Sequence, residues 1–151
     1  MLTIVLDTGV LGQITNPRAS GERPPVRWLL QHLEAGSQVV VPEIVDYELR
    51  RELLRGGLQR SLARLEEFSS TVTYLPITTP AMRLAAQFWA EARNRGRPAA
   101  PDLALDGDMI LAAQARLLSD DVPLVVVATT NVRHLADFVD ARLWDAIPFD
   151  V

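Results

Sequence analysis

Short apolar runs alternate along this chain with longer segments of helical periodicity, and few folds accommodate that order. "TIVLD" (3–7), "QVVVP" (38–42), "VTYLPI" (72–77) and "PLVVVATT" (123–130) are rich in β-branched residues and read as buried strands. The segments between them carry apolar residues at helical spacing. "PVRWLLQHLEAG" places Val26, Leu29, Leu30 and Leu33 on one face and ends on Gly36, a C-terminal cap. "PEIVDYELRRELLRGG" starts on Pro42 and buries Ile44, Val45, Leu49, Leu53 and Leu54. "LQRSLARLEEFSS" continues as another helix. "TPAMRLAAQFWAEARNRG" opens with Thr79 as cap and Pro80 in the first turn, and closes at Gly96. "RPAAPDLALDG" reads as a connecting loop, and "DMILAAQARLLS" as the helix after it. "NVRHLADF" reads as a short helix and "LWDAIPFDV" as ending in a small edge strand.

Strands alternating with helices imply an α/β fold, a three-layer α/β/α sandwich with a mainly parallel central sheet. No internal repeat, low-complexity segment or linker interrupts the pattern. One domain over residues 1–151 is expected, and 48% hydrophobic residues suffice for its core.

Composition removes several chemistries. There is no cysteine, so disulfides and thiolate metal sites are excluded. Only His32 and His134 are present, which excludes a three-histidine site. All fifteen basic side chains are arginine, so catalysis by lysine is excluded too. A metal site here must be built mainly from oxygen ligands, which suits Mg²⁺ or Mn²⁺. No apolar run approaches the roughly 18 residues that span a bilayer. The N-terminus has no basic segment before its apolar run, so it does not resemble a signal peptide, and a cytoplasmic location is expected.

The acids fall where an open parallel sheet collects its functional groups, beyond the C-terminal strand ends. Asp7 ends the first strand. Thr129, Thr130 and Asn131 end the strong strand near the C-terminus. Asp106 and Asp108 stand at the start of the "DMILAA" helix. Glu48 lies about two turns into its helix and reaches the same edge only if the loop before that helix is short, which "VVVPE" allows. Each has a plainer reading: a turn for Asp7, a surface pair with Arg51 or Arg55 for Glu48, helix capping for Asp106 and Asp108. Together they argue for more. Clustered carboxylates repel and raise each other's pKa, so they call for a cation.

"IVLDTGVLG", "PEIVDYELRREL", "DGDMILAAQA" and "VVVATTNVRHL" resemble the successive motifs of PIN-domain ribonucleases. The general likeness is to the VapC type of bacterial toxin–antitoxin systems and to related stand-alone PIN proteins. It runs from Met1 to about Phe138. The resemblance implies metal-dependent hydrolysis of RNA phosphodiesters. Asp7 and Asp108 match the family's main ligands for Mg²⁺ or Mn²⁺, and Glu48 a direct or water-mediated one. Asp106 matches a further acid that assists a second ion. Thr130 and Asn131 match residues that orient water or a ligand carboxylate. The chain departs from the pattern at His134, where many members carry an acid. Asp137, a helical turn further on, is the one candidate to replace it. The resemblance also implies a homodimer inhibited by an antitoxin peptide lying in the acidic site.

Net charge is −4, so RNA would have to meet local basic groups. Arg50, Arg51, Arg55, Arg60 and Arg64 form one such group; Arg93, Arg95 and Arg97 form another. Their plainer role is pairing with Glu52, Glu66, Glu67 and Glu91. A haloacid-dehalogenase-like phosphatase needs an acid where Gly9 stands, and a receiver domain needs a lysine. A catalytically weak PIN-like module that binds RNA or protein is the rival from another class. Trp28, Trp89 and Trp144 read as core or dimer-interface residues, the small residues of "AMRLAAQFWAEA" as a dimer face, and His32 as a helix-surface residue.

Overall fold

A computed structural model describes residues 1–95 and 102–149, with side chains described from Leu105 onward in the second segment. The elements are β1 (Leu2–Leu6), α1 (Thr8–Thr15), α2 (Pro24–Glu34), β2 (Gln38–Pro42), α3 (Glu43–Arg55), α4 (Gln59–Thr71) and β3 (Thr73–Leu75). After these come α5 (Thr79–Asn94), α6 (Asp102–Asp121), β4 (Leu124–Thr129), β5 (Ala141–Leu143) and a 3₁₀ turn (Trp144–Ala146). The five strands form one sheet in the order β3-β2-β1-β4-β5, and every neighbouring pair is parallel. All five residues of β1 are buried. Successive strand residues face opposite sides, so both sheet faces are covered and the α/β/α expectation holds.

This order has a consequence for function. From β1 the chain winds outward to β2 and β3, then returns to lay β4 on the other side of β1. The crevice between β1 and β4 is therefore the topological switch point, where open α/β sheets place their sites. Leu6 is in register with Ala128, and the Asp7 amide donates to the Ala128 carbonyl at 3.0 Å. Asp7 and Thr129 thus leave adjacent strands side by side.

Several local expectations are corrected. The helix α1 was not foreseen, because "TGVLGQIT" interleaves two glycines with its apolar residues. It forms because Val10, Leu11 and Ile14 bury one stripe. The α5 cap is Thr78, whose hydroxyl accepts from the Ala81 amide at 3.2 Å, one residue before the expected Thr79. The segment expected as a loop before Asp108 is helical from Asp102. Leu105, Met109 and Ala113 repeat every four residues and pack with Ala85 of α5. That burial outweighs the roughly 1 kcal/mol helix penalty of Gly107. Asp106 and Asp108 consequently lie inside a helix and do not start one.

His32 is not a surface residue; it is fully buried. Its ring lies 5.1 Å from Trp28 and 4.3 Å from Phe149, and Trp28 meets Trp144 edge to face at 5.6 Å. The C-terminal segment, folding back over α2, supplies the cover that helical periodicity could not reveal. "NVRHLADF" forms successive turns and no helix, and the edge strand β5 begins at Ala141, before the segment expected to hold it. No helix among the described residues is long and apolar enough to cross a membrane.

Candidate active site

Asp7 is held on both carboxylate oxygens. Its Oδ1 accepts from the Thr8 amide at 2.7 Å, which caps α1. Its Oδ2 accepts from the Thr129 hydroxyl at 2.6 Å. The Asn131 amide donates in turn to Thr129 Oγ1 at 3.0 Å. A buried threonine therefore bolts Asp7 to the end of β4.

Glu48 reaches the same place from α3. The helix starts immediately after β2, and Pro42 is both the last strand residue and the helix cap. Gln114 of α6 secures that start: its Oε1 accepts from the Ile44 amide at 3.4 Å and its Nε2 donates to the Leu75 carbonyl at 2.9 Å. Glu48 Oε1 accepts from the Thr8 hydroxyl at 3.1 Å. Burial raises the Glu48 carboxyl above the usual range; Thr8 opposes that rise, Asp7 adds to it, and Arg51 opposes it.

Asp108 completes the group from α6. Its carboxyl is pushed up to about 7, by burial first and then by the charges of Asp7 and Glu48. It makes no hydrogen bond or ion pair among the described residues. Asp7, Glu48 and Asp108 are thus brought together electrostatically, and they are the residues available to hold a cation. Among the described residues no three His, Cys, Asp or Glu side chains stand in closed metal-binding geometry. Uncompensated carboxylates repel, which opposes such closure.

The other expected residues distribute differently. Asp106 is exposed and borders a groove of about 350 Å³ with Met82, Trp89 and Met109, on the α5 side of α6. Two helical positions turn a side chain by roughly 200°, so Asp106 and Asp108 diverge. Thr130 and Asn131 are exposed. Asn131 Oδ1 accepts from the Arg133 amide at 3.1 Å, closing a turn. The residue that touches Asp7 is Thr129, one position before the threonine favoured from the sequence. Its signal was the register: across a parallel pair, the neighbour of Asp7 is fixed by Leu6 opposite Ala128.

Most of the arginine candidates have acidic partners. Arg50 bridges Asp46 and Glu66. Arg55 pairs with Glu52 at 2.6 Å. Arg95 pairs with Asp137 at 3.2 Å and lies over the Phe138 ring at 5.1 Å, so the candidate replacement acid is tied to a cation. Arg51 alone of these stands beside the acids, 3.9 Å from Glu48 and 5.2 Å over the exposed Tyr47 ring. Arg97 lies outside the described residues.

The fold that carries these acids has counterparts among known proteins. The family model described as "PIN domain" matches residues 4–136, and the chain belongs to that family. It is 30% identical over 122 residues to ribonuclease VapC19 of Mycobacterium tuberculosis, covering 81% of this chain and 86% of that protein. Two solved structures share its fold. VapBC2 from Rickettsia felis, bound to a DNA fragment from its promoter, aligns with a TM-score of 0.71 and 14% identity, covering 94% of this chain and 97% of that one. FitAcB from Neisseria gonorrhoeae aligns with a TM-score of 0.68 and 24% identity, covering 95% and 99%.

Proposed function

We propose that this protein is a metal-dependent endoribonuclease, the toxin of a type II toxin–antitoxin pair. The observation that carries the reading is Asp108: a half-buried carboxyl with no partner among the described residues, raised to about 7 beside Asp7 and Glu48. Such a group is poised to exchange its proton for a divalent cation. Three carboxylates, two of them oriented by threonine hydroxyls, make an all-oxygen donor set, which fits Mg²⁺ or Mn²⁺.

In this reading Asp7 and Asp108 hold the ion, with Glu48 as a direct or water-mediated ligand. When bound, the ion supplies Lewis-acid stabilisation of the phosphate oxygens and lowers the pKa of a water. Thr129 fixes the orientation of Asp7, and the Thr8 hydroxyl fixes that of Glu48. Asp106, on the α5 side of α6, takes no part in holding the first ion and is left for a second one. Arg51, half-exposed beside Glu48, meets a backbone phosphate of single-stranded RNA. Asn131 and Thr130 border the site and contact the substrate rather than a ligand carboxylate. The ribonuclease name of VapC19 supports RNA as substrate, and the VapBC complex that shares the fold supports an antitoxin as partner; the assembly proposed with them is a homodimer.

The test is cleavage of a single-stranded RNA panel with Mn²⁺ or Mg²⁺. Wild type cuts; EDTA, Asp7→Asn and Asp108→Asn each reduce cutting to background. Cleavage that survives either substitution sinks the reading. A second reading, a PIN-like module that binds RNA without cutting, is favoured by His134 and by the pairing of Asp137 with Arg95. Tight RNA binding without cleavage under any metal would select it.

A further inference from the structure

Gly107 sits inside α6, in its second turn, where glycine weakens a helix. A Cβ built there would meet Glu48 Oε2 at 2.4 Å, Glu48 Cδ at 2.9 Å and Glu48 Oε1 at 3.3 Å. No other atom comes as near, so the absent side chain of Gly107 is the space the Glu48 carboxylate occupies. Gly107 is buried and immediately precedes Asp108. The α3 carboxylate therefore lies against the α6 backbone at the turn that bears the α6 carboxylate.

We infer that Gly107 is a positioning residue: it gives up helix stability so that Glu48 can enter the acidic site next to Asp108. The inference rests on the reading of Asp7, Glu48 and Asp108 as the cation site only in its consequence for metal. The close approach of Gly107 and Glu48 stands apart from that reading. Every clashing atom belongs to the far end of a flexible side chain. Gly107→Ala should therefore fold, turning Glu48 away and breaking the Thr8 contact. Alanine removes the helix penalty at the same time.

Two readouts on the full chain test this. The first is a double-mutant cycle in apo melting temperature, with Gly107→Ala in wild type and in Glu48→Ala. Alanine at 107 should raise the melting temperature more in the Glu48→Ala background, where nothing must move. Equal increments would overturn the inference. The second is the rise in melting temperature on adding Mn²⁺. Gly107→Ala should shrink it about as much as Glu48→Ala does, with the double variant losing nothing further. An undiminished response in Gly107→Ala, where wild type responds, would overturn it. If wild type shows no Mn²⁺ response or cuts no RNA, the metal or nuclease reading fails, and the apo cycle still decides for Gly107.

Discussion

The Thr129 hydroxyl and Asp7 Oδ2 are 2.6 Å apart across two parallel strand ends, although 122 residues separate them along the chain. The bond joins the first strand of the sheet to the fourth at its switch point. It makes Asp7 an element of the sheet edge instead of a free turn residue. Removing it should therefore affect the site and the fold together. Thr129→Val keeps the shape of a fully buried side chain and deletes the donor. A stability loss of about 1 kcal/mol is expected by chemical denaturation. RNA cleavage should fall with it, and should fall less in Thr130→Ala. A cleavage loss larger in Thr130→Ala than in Thr129→Val would reverse the assignment.

Asp108 predicts an unusual pH dependence. Its carboxyl is raised from 3.8 to about 7 in the folded chain. The folded state thus binds a proton that the unfolded state has released. Its contribution to stability is fully present below about pH 4 and is lost as pH rises through about 7. The difference in melting temperature between wild type and Asp108→Asn, followed without metal, should become less favourable to wild type over that interval. Asp7→Asn removes one like charge and should move the Asp108 titration downward. A carboxyl resonance of Asp108 that titrates near pH 4 would contradict this.

Metal should reverse that penalty. At pH 7.5 Mn²⁺ is expected to raise the melting temperature of wild type, and EDTA to restore the lower value. Asp7→Asn and Asp108→Asn should each remove most of the rise. Asp106→Asn should leave it near wild type, because Asp106 lies on the α5 side of the helix. Loss of the metal response in Asp106→Asn would place that residue back among the ligands.

The buried histidine has the opposite sign. Burial lowers the pKa of His32 below 6.5, although a backbone contact to Ile147 opposes the shift. The unfolded state takes up the proton first as pH falls. Stability is therefore complete above about 6.5 and declines in mildly acidic solution. His32→Phe keeps an aromatic ring between Trp28 and Phe149 and should flatten this acid limb. Denaturation curves at pH 7 and pH 5 measure it; an unchanged difference between the two would count against the assignment.

Much of this architecture was legible because it depends on short-range pattern. "TIVLD", "QVVVP" and "PLVVVATT" declare buried strands wherever they occur, and the helical stripes between them leave a parallel sheet as the economical arrangement. Asp7 was legible as a strand-end acid, and Asp108 as an acid tied to an alanine-rich helix. The α6 start was not legible, because Gly107 and Pro101 suggest a break and only the packing of Leu105 and Met109 against α5 overrides it. His32 was misjudged for the same reason: periodicity shows which helix face is apolar, and says nothing of a distant segment that covers a polar one.

Residue order and type already announced the fold class, and they marked Asp7, Glu48 and Asp108 as candidate acids. Those follow from residue type and local spacing. Packing between distant elements settled the rest: which threonine holds Asp7, which arginine pairs with Glu48, which side of α6 carries Asp106, and what fills the space beside Gly107. Each of those is a question of register or of close approach between elements far apart in the chain. One residue of strand register exchanges Thr130 for Thr129, and one missing Cβ admits Glu48. Contacts of that kind are set by how the helices and strands pack, which no local pattern encodes.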